Sequence, residues 1–431
     1  MKRVLPPLSV PAAAALFVLV PALLVAQPSL TWDQVKARFE AANPALKADA
    51  LSVDEMKAAE TTAYLRPNPG IGLSSDGFQI APHTTPGVGT HWLPLTGNQL
   101  VPSINYLHER ERKRELRLQS AKEGTHIAGS QHEDLERNLL FDLRSQFIQT
   151  LQAKAVLELA KADLAYYDKI IEISRSRYKA GDIAQIDLDR IELLRVQYEV
   201  EIQAAIVNLR TSKIQLLQLL NERTPVEQFD VTGPFDFSDQ LKPLEDFRQI
   251  ALDERPDLRA ALESIQQAQT NHKLAIANGS ADPTFSTWYS YNPAFNNPFG
   301  RYTLGASVSV PLRIFDRNQG EKQRTLIDID RNKELTDAAR AQVFSDVDSA
   351  YEQVESNVAL LRPYMAQYKD QATRVRDTVT YAYDHGGASL MDFLNAQSDY
   401  RAVQLAYLQL IGSYLIAVGQ LNLAVGREVI Q

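Results

Sequence analysis

Apolar residues recur every three or four positions along most of this chain. Leu140, Leu143, Phe147, Leu151, Ala155, Leu159, Ala162, Tyr166, Ile170 and Ile173 step in this way, a coiled-coil seam whose small members allow close approach. The pattern predicts one helix from roughly Leu107 to Lys179 and a second from Asn318 to Asp384. At a rise of about 1.5 Å per residue each is roughly 100 Å long, and the returning runs Ile186 to Leu220 and Leu390 to Val425 are about half that. Two further runs have the missing length. Thr31 caps a helix over Trp32 to Leu65, with Val35, Phe39 and Leu46 on its apolar face and a break at Asn43-Pro44; Phe247 to Ala277 carries Arg255-Pro256-Asp257-Leu258 at the same place. Two short helices stacked end to end therefore match one long helix, with the Pro-rich connection Thr224 to Pro243 outside the bundle.

Between the short and long helices the period changes to two. Leu304, Ala306, Val308 and Val310 alternate with Thr303, Gly305, Ser307 and Ser309, which predicts a strand over Tyr302 to Val310 with one apolar face. Phe285 to Tyr291 is its partner, and Asn292 to Gly300 the loop between them. Ile71 to Ile80 and about Asn98 to Leu107 are the corresponding pair in the first half, with weaker alternation and Pro102 inside the second strand.

Both long helices end in similar turns, RYKAGDIAQID from Arg177 to Asp187 and AYDHGGASLMD from Ala382 to Asp392. Tyr178 and Tyr383, Gly181 and Gly386, and Asp187 and Asp392 are each 205 positions apart. Each turn reads as the tip of a helical hairpin, with Gly supplying the positive φ that ends a helix. The order of elements repeats as a whole, so the chain divides into a first repeat over 27–223, a linker over 224–246 and a second repeat over 247–431.

Residues 1–26 lie outside this scheme. A charged Met1-Lys2-Arg3, an apolar Ala12 to Leu24 and Ala26 before Gln27 form a secretory signal peptide. The 431 residues contain no cysteine, which excludes disulfides, thiolate metal sites and a lipid-accepting Cys, and the net charge of −8 argues against a nucleic-acid partner. Val403 to Val425 is apolar enough to span a bilayer, but its counterpart Tyr198 to Leu220 contains Glu199, Glu201, Arg210 and Lys213, so both are read as helices buried in the bundle.

No catalytic or metal-binding spacing stands out: HExxH, Walker and GxSxG sequences are absent, and His126 and His132 lack the spacing of a helical metal pair. No cofactor is expected. Ser389 with Asp392, and Asp182 with Gln185, have the spacing of capping boxes. The basic run Arg110-Glu111-Arg112-Lys113-Arg114 reads as a solvated helix face.

The signal peptide, the repeated helix-strand-strand-long helix-tip-helix order, Arg255-Pro256-Asp257-Leu258, Val310-Pro311-Leu312 closing a strand and Gly386-x-x-Ser389-x-x-Asp392 at a tip together resemble the outer membrane efflux protein family typified by TolC. The resemblance covers essentially the whole mature chain. It implies a mainly α fold with a β-barrel part: a homotrimer whose four strands per subunit close a twelve-stranded outer-membrane barrel on a periplasmic α-helical tunnel. It implies an exit duct of a tripartite efflux or type I secretion system, opened by a periplasmic adaptor and energised by an inner-membrane transporter. Gly181, Asp182, Gly386, Gly387 and Ser389 would contact the adaptor. Asp187, Tyr383, Asp392 and Asn395 would form the constriction, with Tyr383 donating a hydrogen bond to Asp187, and Asn395 standing where some members have a second acid. Ala184 replaces the Ser expected at its tip. The alternative is a soluble periplasmic coiled-coil scaffold without a pore.

Overall fold

The computed structural model describes residues 29–76, 81–91, 99–238, 241–293 and 298–430, so the signal peptide lies outside the described residues. The chain opens with α1 (Trp32–Ala42) and α2 (Pro44–Tyr64), then β1 (Gly70–Asp76), a small hairpin of β2 (His83–Thr85) and β3 (Gly89–His91), and β4 (Gln99–Leu107). The long α3 (Lys113–Ala180) and the returning α4 (Gln185–Leu219) complete the first half. The second half runs α5 (Leu244–Glu254), α6 (Pro256–Asn278), β5 (Thr284–Tyr291), a short α7 (Pro298–Arg301), β6 (Tyr302–Ser309), α8 (Gln319–Pro363), α9 (Lys369–Asp384) and α10 (Leu390–Val425).

The predicted breaks at Asn43-Pro44 and Arg255-Pro256 are joints between helices, and both do the same job with different chemistry. Asn43 Oδ1 accepts from the N–H groups of Ala45 and Leu46 at 2.8 and 3.1 Å, while its Nδ2 donates to the Leu219 carbonyl at the end of α4. Arg255 donates from Nη1 to the Ala424 carbonyl at the end of α10 (3.2 Å). Each break thus receives the C-terminus of a returning helix, whose last carbonyls have no partner of their own. This is how two short helices come to match one long one: α3 packs on α2 and α4, and α8 on α6 and α10.

Several expectations change. The second long helix is interrupted: Pro363 brings no N–H, and Tyr364–Tyr368 form a π-helical turn before α9 resumes. On α3 the buried positions include Leu143, Phe147, Leu151 and Ile170 from the predicted seam, but Ile173 is exposed, and Leu157, Tyr167, Ile171 and Ser174 are buried in its place. The reason is that α3 meets different neighbours along its length, so the covered face moves. The linker is strapped onto the helices: Leu30 pairs in parallel with Val231, and Phe229 and Val231 are buried against Phe39, Phe147 and Leu216. Asp230 there accepts from Ser29, Lys154 and Lys213; burial alone would raise its carboxyl, but these donors hold it below the usual range. The apolar α10 buries Ile411, Tyr414, Val418, Leu421 and Val425 in a core shared with α5 and α8. Only 28% of its most apolar stretch is buried within the single chain, less than the sequence reading expected.

Four strands form one antiparallel sheet in the order β1-β4-β5-β6, so the two halves join at β4 and β5. Register supplies the alternation that the first pair lacks by itself. Ile71 opposes Ile104, Leu73 opposes Pro102, Tyr106 opposes Phe285, Tyr289 opposes Leu304 and Phe285 opposes Val308, all on one face. Gly72, Ser74, Ser103, Asn105, Ser286, Trp288, Gly305 and Ser307 fall on the other. Pro102 is tolerated because the β4–β5 ladder skips Val101 and Pro102.

The basic run after β4 is only partly solvated. Lys113 is 4% exposed in its side chain; it binds Asp282 Oδ2 (2.6 Å) and the Ser280 carbonyl, while the Arg110 N–H binds Asp282 Oδ1 (2.9 Å). These bonds tie the start of α3 to the link between α6 and β5. Lys113→Met leaves Asp282 without its counter-charge, and the expected loss is about 3 kcal/mol of folding stability, read by urea unfolding. A loss under about 1 kcal/mol would mean that the pair contributes no more than a surface one.

Candidate functional site

The hairpin tips carry the predicted site residues. Gly181 and Gly386 end their helices at φ 84° and 76°, a conformation that favours glycine. The Asp182 N–H then donates to the Arg177 carbonyl (2.9 Å), and the Gly387 N–H to the Ala382 carbonyl (2.7 Å), the same six-residue closure at both tips. Asp182, Gly387 and Ser389 are exposed on these turns.

Beyond the turns the tips differ. α10 starts from Ser389, whose Oγ accepts from the Asp392 N–H (3.1 Å), while Asp392 Oδ2 accepts from the Ser389 N–H (3.1 Å) and Oγ (2.7 Å). The expected capping box is present, and the Ser389 side-chain and backbone donors hold the Asp392 carboxyl below its ordinary value. The expected Asp182–Gln185 box does not form. Helix α4 begins at Gln185, so its cap position is Ala184, which has no side-chain acceptor, and Gln185 instead donates to Asp189 (2.8 Å). Asp187 lies in the first turn of α4, where the helix dipole favours an acid, and Asn395 is exposed on α10.

Tyr383 and Tyr178 share a sequence position but not an environment: Tyr383 is 5% exposed and Tyr178 40%. The Tyr383 ring stacks on Phe393 (4.9 Å) within a small core of Tyr167, Ile170, Ile171 and Ile191, so the two hairpins pack directly on each other. Among the described residues neither its hydroxyl nor the buried hydroxyl of Ser174 makes a well-formed hydrogen bond, although the two lie close enough for Ser174 to oppose the rise in the phenol's pKa; the expected bond to Asp187 is not formed. Burial pushes the phenol above its usual value, with Arg177 opposing the shift and the Asp187 charge adding to it. What joins the hairpins is Arg177. It donates from Nη1 to the Tyr383 carbonyl (3.1 Å) and lies over the Tyr383 ring at 4.8 Å. Arg177 was missed in the sequence because its repeat position holds Ala382; that departure was the available signal.

A second link lies higher on the same helices. Arg401 on α10 binds Glu201 on α4 (2.7 Å), Arg376 on α9 lies over Tyr400 at 4.0 Å, and Asp163 on α3 sits among them. Burial pushes the Asp163 carboxyl up to about 6, with Arg401 and Arg376 opposing the shift and Glu201 adding to it. An unfolded aspartate titrates near 3.9. The folded chain therefore binds this proton more tightly, and the contribution is full below about pH 4 and lost as pH rises through 6. Asp163→Asn is expected to melt at a higher temperature than wild type at pH 8 and to have no advantage at pH 4; an equal gain at both would rule out this linkage.

Residues 247–427 match the family model described as outer membrane efflux protein. The cobalt-zinc-cadmium resistance protein CzcC of Cupriavidus metallidurans is 20% identical, over 92% of this chain and 90% of its own. The outer membrane protein TolC of Vibrio cholerae is 22% identical, over 77% of this chain and 78% of its own. Among solved structures, the outer-membrane channel OprN superposes with a TM-score of 0.74 at 14% identity, covering 92% of this chain and 89% of that one. The second half of this chain, residues 247–427, thus matches the outer membrane efflux protein family, and the fold of the solved outer-membrane channels extends over nearly all of the chain.

Proposed function

We propose that three copies of this chain close one twelve-stranded barrel in the outer membrane, standing on a periplasmic tunnel of helices, and that the assembly is a passive exit duct. The observation that carries this reading is the four-stranded sheet. It has one apolar exposed face, a second face of mostly small polar residues with Trp288 among them, and edges β1 and β6 that pair with no other strand among the described residues. Open edges are not stable in lipid, so membrane insertion requires the edge of one copy to pair with that of the next. The uncovered part of α10 is the matching surface in the helical region. On this reading the repeats over 27–223 and 247–431 arose by duplication and are joined by the 224–246 linker, and each copy contributes two hairpins to the tunnel.

The tips are the far end of helices about 100 Å long. They dock a periplasmic adaptor through Gly181, Asp182, Gly386, Gly387 and Ser389, and the inner-membrane transporter behind it selects and drives the substrate. Asp187 and Asp392 form rings at the constriction, with Tyr383 buried beside them and the neutral Asn395 one turn on. A soluble scaffold has no use for the exposed apolar face of the sheet, which favours the duct. The decisive measurement is light scattering on protein extracted from isolated outer membranes. A particle of three chains is expected; a monomer, or protein released from membranes by salt washing, rules the duct out.

A further inference from the structure

The apolar face of the sheet does not end where the sheet does. From Leu304 the apolar residues Ala306, Val308, Val310, Leu312 and Ile314 continue at every second position, although the paired strand stops at Ser309 and Pro311 follows. Leu312 is 81% exposed, Ile314 59% and the adjoining Phe315 90%. A tilted membrane strand crosses the hydrocarbon in about 9–11 residues. Tyr302 to Val310 meets that need, which leaves Leu312, Ile314 and Phe315 at the level of the headgroups on the periplasmic side.

Aromatic positions support the same placement. At the outer rim Tyr302 stacks with Tyr291 at 5.2 Å and with Tyr289 at 6.4 Å. At the inner rim Tyr106 opposes Phe285, and the His108 ring lies edge-on to Phe285 at 6.5 Å. Membrane barrels carry aromatic girdles at both interfaces, and Phe315 extends the inner one downward. Charge is suitably placed too. Arg313 stands between Leu312 and Ile314, 3.7 Å from Asp316 and near enough to Asp282 to favour its charged form, and Arg110 at the same end of the sheet lies 3.9 Å from Glu111. The corresponding segment after β4, His108-Glu109-Arg110-Glu111-Arg112, has no such apolar run.

We propose that Leu312, Ile314 and Phe315 are an interfacial anchor inserted into the periplasmic leaflet of the outer membrane, with Arg313 at the lipid phosphates. The proposal rests on the sheet being membrane-embedded. It gives this chain, which has no cysteine to carry an acyl group, a side-chain substitute for one.

The absence of cysteine also makes the test direct, because one introduced thiol gives one label. Full-length Phe315→Cys and Leu312→Cys, each carrying a polarity-sensitive fluorophore, are placed in vesicles of phosphatidylethanolamine and phosphatidylglycerol. Leu304→Cys, in the middle of the strand face, is the control. Blue-shifted emission at 312 and 315 that is lost to quenchers on shallow acyl positions, but not to aqueous iodide, is the expected result. Quenching by iodide overturns the anchor, and shielding from both quenchers overturns it in favour of burial against a neighbouring copy. If the label at 304 is quenched by lipid in either case, the barrel stands and only the anchor falls; if 304 is also open to iodide, both fall. The two anchor sites report independently, so a folding defect in one variant leaves the other as the test.

Discussion

Arg255→Met is expected to cost about 3–5 kcal/mol of folding stability. The side chain is 4% exposed and makes four bonds. Nε and Nη2 bind the two oxygens of Asp257 (3.0 and 2.6 Å), and Nη1 binds Asp346 (2.9 Å) and the Ala424 carbonyl (3.2 Å). It therefore joins α6, α8 and the end of α10 where two helices meet end to end. Its loss leaves Asp346 without its counter-charge, Asp257 with only the more distant Arg137, and an orphan helix carbonyl, and Met restores only volume. Burial would raise the Asp257 carboxyl, but Arg255 and Arg137 hold it below the ordinary value. A depressed carboxylate stabilises above its unfolded pKa near 4 and loses that contribution as pH falls through the folded value. Wild type and Arg255→Met should thus converge in stability on acidification. Arg255→Lys keeps the charge but not the two-toothed geometry, so it is expected to recover only part of the loss. Equal urea midpoints for all three proteins at neutral pH would show that the joint contributes nothing.

Arg177→Ala is expected to raise the resting conductance of reconstituted channels, and Tyr383→Phe to leave it unchanged. The guanidinium supplies a charged hydrogen bond, worth about 1.5–3 kcal/mol, to a carbonyl on the other hairpin. Its stacking on the ring adds about 0.5–2 kcal/mol. In the proposed trimeric duct, three such links would hold a closed state while leaving it open to an adaptor. The Tyr383 hydroxyl, by contrast, makes no well-formed hydrogen bond among the described residues, with only the Ser174 hydroxyl beside it, so its removal costs little. Tyr383→Ala removes the ring that stacks on Phe393 and underlies Arg177, so it should behave like Arg177→Ala. Single-channel recording in planar bilayers separates these outcomes. An open Tyr383→Phe beside a closed Arg177→Ala would return the latch to the phenol.

The contrast between these residues shows how far the chain could be read beforehand. Tyr383 stands out because it repeats, while its bond to Asp187 is expected from the family resemblance alone, and neither says what lies across the hairpin interface of this chain. Ser389–Asp392 was legible as a cap since both partners lie within one turn. Asp182–Gln185 has the same spacing and failed, because where a helix starts depends on the geometry of the preceding turn, and that put Ala184 at the cap. The first strand pair gave a poor pattern by itself, yet Ile71, Ile104 and Phe285 share a face once paired, a property of register between segments far apart in the chain.

The sequence by itself determined what depends on a few neighbouring residues: the periods that make helix or strand, the glycines that close both tips, the prolines that break the short helices, and the order of elements that carries the family resemblance. Tertiary structure alone decided which face of α3 is covered, that the linker is strapped to the bundle, that Lys113 is buried and Tyr178 is not, and that Arg177 rather than the Tyr383 hydroxyl joins the hairpins. The physical reason is range. Helix and turn preferences act within one or two turns of backbone, whereas burial and pairing are set by surfaces brought together from positions such as 177 and 383, which no local pattern connects.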